Sequence, residues 1–442
     1  MLGIASSNYA GNAGMSLNPT SMLLMPSSWE IGLVTVNVQA ENNYIGFPKR
    51  HLTRSNEVNN TLLHGGLVDY YTPGKKQASA HVMVKAPSFI LKVQDWGFAF
   101  STSLRTDLSV RHIDPVLAKV LYDGLAYVPI QGKSANLSGA TLAGLSWIET
   151  SLSVGKQLTK SDSKKWLIGI SGKYLTGIQG ISVKLNSGRL SVINDTMLTL
   201  TNVKGTAGYG VFTKPQDLLH MRIGGFGTDI GVAYVSNPFV QQFSNGRLVP
   251  SKRYDYRLGF SLIDIGFIRF TNTAKSYSFN SNGLNADNIA SFSNGFDGID
   301  SMLAASSGSA PKNKFMMALP AAASVQFDRC IHPRWYVNLT VIQRLPLPIA
   351  HVQRANSISA SIRYETPYFE VSMPYSFHDY YRHRLGLALR YHFLFAGTDK
   401  LGTFYGNNDI TGVDVYFGIK IKSIEFMHRK RGGKAVRCPA YS

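Results

Sequence analysis

The stretch Ile358-Ser359-Ala360-Ser361-Ile362-Arg363-Tyr364-Glu365 sets Ile358, Ala360, Ile362 and Tyr364 on one side and Ser359, Ser361, Arg363 and Glu365 on the other. A period of two is that of an extended strand, whose successive side chains leave opposite faces of the pleat. After Thr366-Pro367 the pattern restarts, with Phe369, Val371, Met373 and Tyr375 against Glu370, Ser372 and Ser376. It returns in Leu385, Leu387, Leu389 and Tyr391 against Arg384, Gly386, Ala388, Arg390 and His392. The last run sets Val413, Val415, Phe417, Ile419 and Ile421 against Asp414, Gly418, Lys420 and Lys422. Ionised residues stand opposite large apolar ones, so one face meets apolar surroundings and the other water. A soluble sandwich alternates too, but its strands run about 5 or 6 residues, whereas these runs approach the roughly 9 to 11 of a tilted strand crossing a bilayer.

Composition agrees with strands and turns: among 442 residues, 11% are aromatic, 16% are charged and 41 are glycine. No apolar run of about 18 residues occurs, which argues against a transmembrane helix. The mean hydropathy of -0.05 does not separate a soluble protein from a barrel, because lipid-facing and lumen-facing residues cancel in the average. The net charge of +19 raises nucleic-acid binding. That needs basic residues clustered on a recognisable module, and here they are scattered through turns and polar strand faces apart from the tail. Anionic lipid headgroups and lipopolysaccharide phosphates are the simpler partners for scattered Lys and Arg. Two cysteines, Cys330 and Cys438, are too few for a disulfide scaffold, and no disulfide is expected. Met1 to Ile4 has neither the basic start nor the apolar core of a secretory signal, so an outer-membrane chain would be numbered from near a mature N-terminus.

Along the chain, residues 1–28 carry Ser, Asn and Gly without period, and Asn18-Pro19 marks a turn. They read either as a partly ordered arm or as a hatch tucked into a barrel. Trp29 to Val38 begins the first strand, and Asn42 to Lys76 reads as a long loop. A hairpin carries Phe89, Leu91 and Val93, then Phe98, Phe100 and Leu104. Asp114-Pro115 opens a short helix closed by Gly124, with Val116, Leu117, Val120 and Leu121 on one side, placed on or inside the barrel mouth. Ile178 to Val211 suggests an extended hairpin. Thr271 to Lys314, rich in Ser, Asn, Gly and Ala, cannot bury a core and reads as an extracellular loop. The tail 427–442 holds His428-Arg429-Lys430-Arg431 and is either a solvated periplasmic tail or a contact to a periplasmic partner or a phosphate-rich surface.

The expectation is an all-β chain: a closed antiparallel transmembrane β-barrel of about 14 strands spanning 29–426, with an N-terminal hatch-like segment and long extracellular loops. Every strand edge must be paired in hydrocarbon, so the sheet closes. Working back from a periplasmic C-terminus, the runs identified place the Cys330 turn outside and the 271–314 loop in the periplasm, against its length. Either a strand after Lys314 escapes the pattern or that loop faces inward.

Several short pieces resemble an uncharacterised family of Bacteroidota outer-membrane β-barrels, a domain of unknown function. They include Ser7-Asn8-Tyr9-Ala10-Gly11, Lys85-Ala86-Pro87-Ser88-Phe89, Lys173-Tyr174-Leu175-Thr176-Gly177, Gly225-Phe226-Gly227-Thr228-Asp229-Ile230-Gly231 and Asp414-Val415-Tyr416-Phe417-Gly418. In layout the chain also resembles, more loosely, FadL-type transporters, which share a long barrel and a hatch with an Asn-Pro turn. That likeness implies about 14 strands and a lateral or axial route for an apolar ligand. The tail beyond Phe426 departs from barrels that end on a terminal aromatic residue.

No His-Glu-x-x-His, Gly-x-Ser-x-Gly or Walker-type loop occurs, so neither catalytic residues nor a cofactor are expected and the chain reads as a non-enzyme. His378, His383 and His392 with Asp379 lack repeating ligand spacing and read as a polar turn rather than a metal site. The candidate lumen-facing residues are Arg257, Asp264, Arg363, Glu365, Glu370, Arg390, Asp414 and Lys420, since an Arg or Lys facing mid-bilayer costs roughly 2 to 4 kcal/mol. They either pair across the lumen to support the barrel or line a solute path. On this facing, Leu387→Arg is expected to impair assembly and Arg390→Ala not to. Two functions remain open: passage or binding of a small solute, apolar or not, in the bacterial outer membrane, or a non-conducting scaffold that holds other outer-membrane or periplasmic proteins in a secretion, insertion or gliding assembly.

Overall fold

The computed structural model describes residues 1–49, 66–159, 163–211, 224–236, 254–271, 274–281, 311–404 and 409–422, with the short pieces 243–244, 247–248 and 284–285. The alternating runs fold as extended strands joined in antiparallel ladders. In chain order the wall strands are β1 (Trp29–Asn42), β2 (Lys76–Val93), β3 (Trp96–Ile113), β4 (Thr141–Gln157), β5 (Lys164–Val192), β6 (Gly224–Ser236) and β7 (Tyr256–Phe270). They continue as β8 (Ala322–His332), β9 (Trp335–Arg344), β10 (Ser357–Glu365), β11 (Phe369–His378), β12 (Arg382–Leu385 and Leu387–Tyr391), β13 (Leu394–Thr398) and β14 (Gly412–Lys422). β14 pairs back onto β1, Phe417 opposite Val36 and Lys420 opposite Gly32, so the 14-stranded antiparallel barrel is closed. Closure leaves no open strand edge.

The side-chain pattern is inside out compared with a soluble protein. Ile362 is 47% exposed on the outer wall while its neighbour Arg363 is fully buried within. Leu385, Leu389, Met373 and Phe417 point outward in the same way. An apolar band this continuous is stable only against lipid. Exposed aromatics gather at the end where β1 begins and β14 ends: Trp96, Trp166, Trp335, Tyr368 and Tyr391. Trp166 meets Tyr234 with ring centres 5.0 Å apart, and Trp335 meets Tyr364 at 5.2 Å. Rings with one apolar and one polar end suit the membrane–water boundary.

The tight turns near Asp95, Pro333, Pro367 and His392 share that end, here called the near end. The connection from Ser236 to Tyr256 lies at the near end, and the far end carries most of the longer ones. β7 finishes and Phe315–Ala318 starts there, so the 271–314 stretch leaves from and returns to the far end. The placement worked back from the runs is corrected, because β13 is a strand of five residues too short to show its period. With it counted, the Cys330 turn lies at the near end, beside Trp335. Cys438 and the 427–442 tail lie outside the described residues.

β5 is the longest strand and extends beyond the barrel, where Leu198–Val211 pairs with it and Lys275–Ser281 pairs with Leu198–Val211 in turn. The helix over Pro115–Asp123 rests on this extension, Val116 and Val120 packing with Ile130, Val192, Leu198 and Phe279. The Asp114 carboxylate accepts the N–H of Val116, and Gly124 closes the helix at φ 72°, as the acidic cap and glycine stop suggested. Between Asn42 and Lys76 the described residues form one short ladder, Ile45–Gly46 with Val68–Asp69. β2 starts at Lys76, well before the apolar run at Phe89.

Candidate functional site

The lumen is filled from within the chain. Residues 2–24 form three single-turn helices, Leu2–Ala5, Asn12–Met15 and Ser21–Leu24, folded inside the barrel with most of their side chains buried. Helices of four residues do not hold themselves together. This plug is held by the wall, and the ion pairs that line the lumen lie at three levels.

At the near level Arg363 bridges Asp328 at 2.9 Å and pairs with Glu365, and Arg257 reaches the same Asp328 oxygen at 2.8 Å. Arg257 also donates to the Ser6 carbonyl, Glu365 accepts from the Asn8 amide, and Glu370 accepts from the Ser7 hydroxyl. Arg390 pairs with Glu370 at 2.8 Å and lies 4.3 Å from the centre of the Tyr9 ring. Lys420 pairs with Glu30 and donates to the Tyr9 carbonyl. Six of the sequence-derived candidates thus meet around residues 6–12 of the plug. These contacts give Arg390→Ala a cost in stability that the inward facing of the side chain alone does not convey. Arg390 is fully buried, and its loss leaves the equally buried Glu370 without its cation.

The middle level centres on Asp264. Its backbone has φ 56° at an irregularity in the ladder with β6, which turns its carboxylate into the lumen. Arg105 grips it with two nitrogens at 2.8 and 3.0 Å, Lys173 lies at 2.7 Å and Arg354 at 3.2 Å. Lys173 also contacts Asp229 at 2.8 Å, and Arg105 stacks over Trp147. Asp414 sits apart, at the far level, 3.8 Å from Arg384, whose partner is Glu41. Glu41 additionally pairs with Arg382 and Lys400.

A row of glycines also seats the plug. Gly97, Gly155, Gly169 and Gly231 are directly opposite one another on β3, β4, β5 and β6. The Asn18-Pro19-Thr20 turn and Met22-Leu23 lie on this row. A Cβ on Gly169 would stand 3.0 Å from the Thr20 nitrogen and 3.1 Å from the Pro19 carbonyl carbon, and one on Gly231 would overlap the Asn18 amide oxygen. On Gly97 it would meet Met22 and Leu23 at 2.9 Å. The row continues at both ends into hydrogen bonds to the plug: Lys92, opposite Gly97, donates to the Met25 carbonyl at 2.7 Å. Ser261, opposite Gly231, donates to the Leu17 carbonyl at 2.6 Å. The Asn18 carboxamide oxygen closes the turn by accepting from the amide and hydroxyl of Thr20, an Asx turn. Its nitrogen donates to Gln326.

The histidines and Asp379 do not converge on a site. His378 is buried at the far level, His383 bonds the Tyr375 hydroxyl, His392 stacks on Tyr368, and Asp379 pairs with Arg111. Among the described residues no cluster of metal-ligating side chains occurs.

Sequence reasoning missed Arg105, Glu149, Lys173, Asp229, Asp328 and the glycine row. Each stands in the polar phase of its strand, so the same alternation marks it as inward-facing. What the alternation lacks is any indication of which inward residues meet.

The family model decides the kinship: it matches residues 24–399. The chain belongs to DUF5723, a family of unknown function. No curated protein matches it in sequence. Among solved structures it is similar to the toluene transporter TodX of Pseudomonas putida, at 11% identity over 95% of this chain and 94% of that one, TM-score 0.41. It is similar to the toluene transporter TbuX of Ralstonia pickettii at 10% identity over 94% of each chain, TM-score 0.41. The translocator domain of the autotransporter NalP from Neisseria meningitidis is 8% identical over 89% of this chain and 88% of that one, TM-score 0.30.

Proposed function

We propose that this barrel resides in the bacterial outer membrane, is closed at rest by its own N-terminal plug, and binds and passes a small solute from its far end. The observation that carries the reading is a pair of adjoining cavities of about 120 and 150 Å³ in the lumen beside the plug. Both are lined by Leu2, Asn37, His81, Arg105, Ile342 and Arg354. At about 30 Å³ for each water, they hold a small molecule rather than a polymer. Guanidinium, imidazole and carboxamide groups on the walls suit a polar group on the solute, while Met15, Leu17, Ile342 and Val352 offer apolar contact to the rest.

Passage beyond these cavities requires the plug to move, and the many wall contacts of residues 6–25 favour a second reading, a non-conducting scaffold for partner proteins. Planar-bilayer conductance and liposome swelling with the purified full chain separate the two. Swelling by solutes of about this size supports passage. Absence of both conductance and swelling, together with partners that stay bound through purification in mild detergent, rejects it for the scaffold.

A further inference from the structure

Cavity-lining serines on β3 and β4 form a hydroxyl-rich patch beside the Lys85 ammonium of β2. Lys85 on β2 is directly opposite Ser103 on β3, Ser101 on β3 is opposite Ser151 on β4, and all four face the 120 Å³ cavity. Side chains paired in this way stand about 5 Å apart, and serines leave room where larger residues would close the space. The hydroxyls of Ser101, Ser103 and Ser151 make no hydrogen bond among the described residues, so all three are available to a ligand.

Lys85 differs from the other cations of the two cavities. Arg105, Lys173 and Arg354 are tied to Asp264, and Arg384 to Glu41. Lys85 has no carboxylate partner among the described residues, and its single hydrogen bond is a 3.5 Å contact to the Asn12 carbonyl. The nearest acid along the strand pairing, Glu149 opposite Ser103, is held between Arg105 at 3.2 Å and Lys173 at 3.5 Å. An ammonium placed against open hydroxyls with its neighbouring acids already engaged is suited to an anionic oxygen group.

We propose that this patch binds a small carboxylate, its oxygens taken by the Lys85 ammonium and by the hydroxyls of Ser101, Ser103 and Ser151. The assignment rests on the solute-binding reading above and names the class of solute. The same ammonium disfavours cations, and the cavity volume restricts the ligand to a few carbons beyond the carboxylate.

The test compares lactate with lactamide, its neutral analogue, by calorimetric titration of the full chain in detergent and by liposome swelling. Lactate is expected to bind saturably and lactamide at least roughly tenfold more weakly, the worth of a hydrogen bond to a charged partner. Lys85→Met should remove that discrimination and Lys85→Arg should keep most of it, with heat-modifiable mobility on gels showing that both variants are folded barrels. Equal binding of the two solutes, no binding of either, or unchanged lactate affinity in Lys85→Met overturns the carboxylate site. Titration and flux fail separately: swelling without discrimination removes this assignment and leaves passage standing. Lactate binding without any flux removes passage and leaves the site.

Discussion

Replacing Gly169 by Val tests whether the glycine row is the seat of the plug. Gly169 lies at the centre of the row, between Gly155 and Gly231, and the atoms nearest a new Cβ are backbone atoms of Pro19 and Thr20 at 3.0 to 3.1 Å. Neither can rotate away as the tip of a side chain would, and Val adds two further methyl groups in the same direction. Overpacking of this kind costs about 1 to 3 kcal/mol. The cost falls on the seated state, because the ladder bonds of β5 and its lipid-facing side chains are untouched. At about 1.4 kcal/mol per factor of ten, the balance between seated and displaced plug moves by roughly 5- to 150-fold. The assay is single-channel recording in planar bilayers, with maleimide labelling of a Ser21→Cys reporter in the plug. Gly169→Val should raise both the open fraction and the labelling rate. Gly172→Ala, on the same strand with no atom within 4 Å of the new Cβ, should change neither. If Gly169→Val assembles as a heat-modifiable barrel with labelling and conductance indistinguishable from the parent, the seating argument is wrong.

Other expectations follow from the same geometry. Arg390→Ala should lower stability in detergent by about 3 to 5 kcal/mol, the cost of stranding one partner of a buried ion pair, and Glu370→Gln in the same chain should recover part of it; urea titration of the folded barrel measures both. Leu389→Arg, on the lipid-facing wall where Leu389 is 45% exposed, should cost roughly 2 to 4 kcal/mol if it sits near the bilayer midplane and reduce the membrane-embedded fraction. Leu387, half-exposed in the same phase of β12, should respond in the same direction. Asp114→Ala should loosen the helix over Pro115–Asp123 by about 1 kcal/mol through the lost cap, visible as faster amide exchange there, while conductance stays at the parent level.

The reach of the sequence is clearest on β10 to β14. The alternation through Ile358–Glu365 and Val413–Ile421 determines which side chains meet lipid and which face the lumen, because the two faces of a pleated strand are fixed by local geometry alone. For the same reason Asp114, Pro115 and Gly124 specify a helix and its ends without reference to the rest of the chain. β13 escapes because five residues between two turns are too few to show a period, and missing it reverses the side assigned to the Cys330 turn.

Tertiary structure alone decided who meets whom. Arg105 and Asp264 are 159 residues apart in sequence, and Gly97, Gly155, Gly169 and Gly231 form a row only because the register of four strands brings them level. Register depends on loop lengths, bulges and the closing of β14 onto β1, none of which a two-residue period encodes. The plug follows the same logic. Residues 2–24 have no periodicity that would fold them alone, and they take their shape from the charged and glycine-lined wall that receives them.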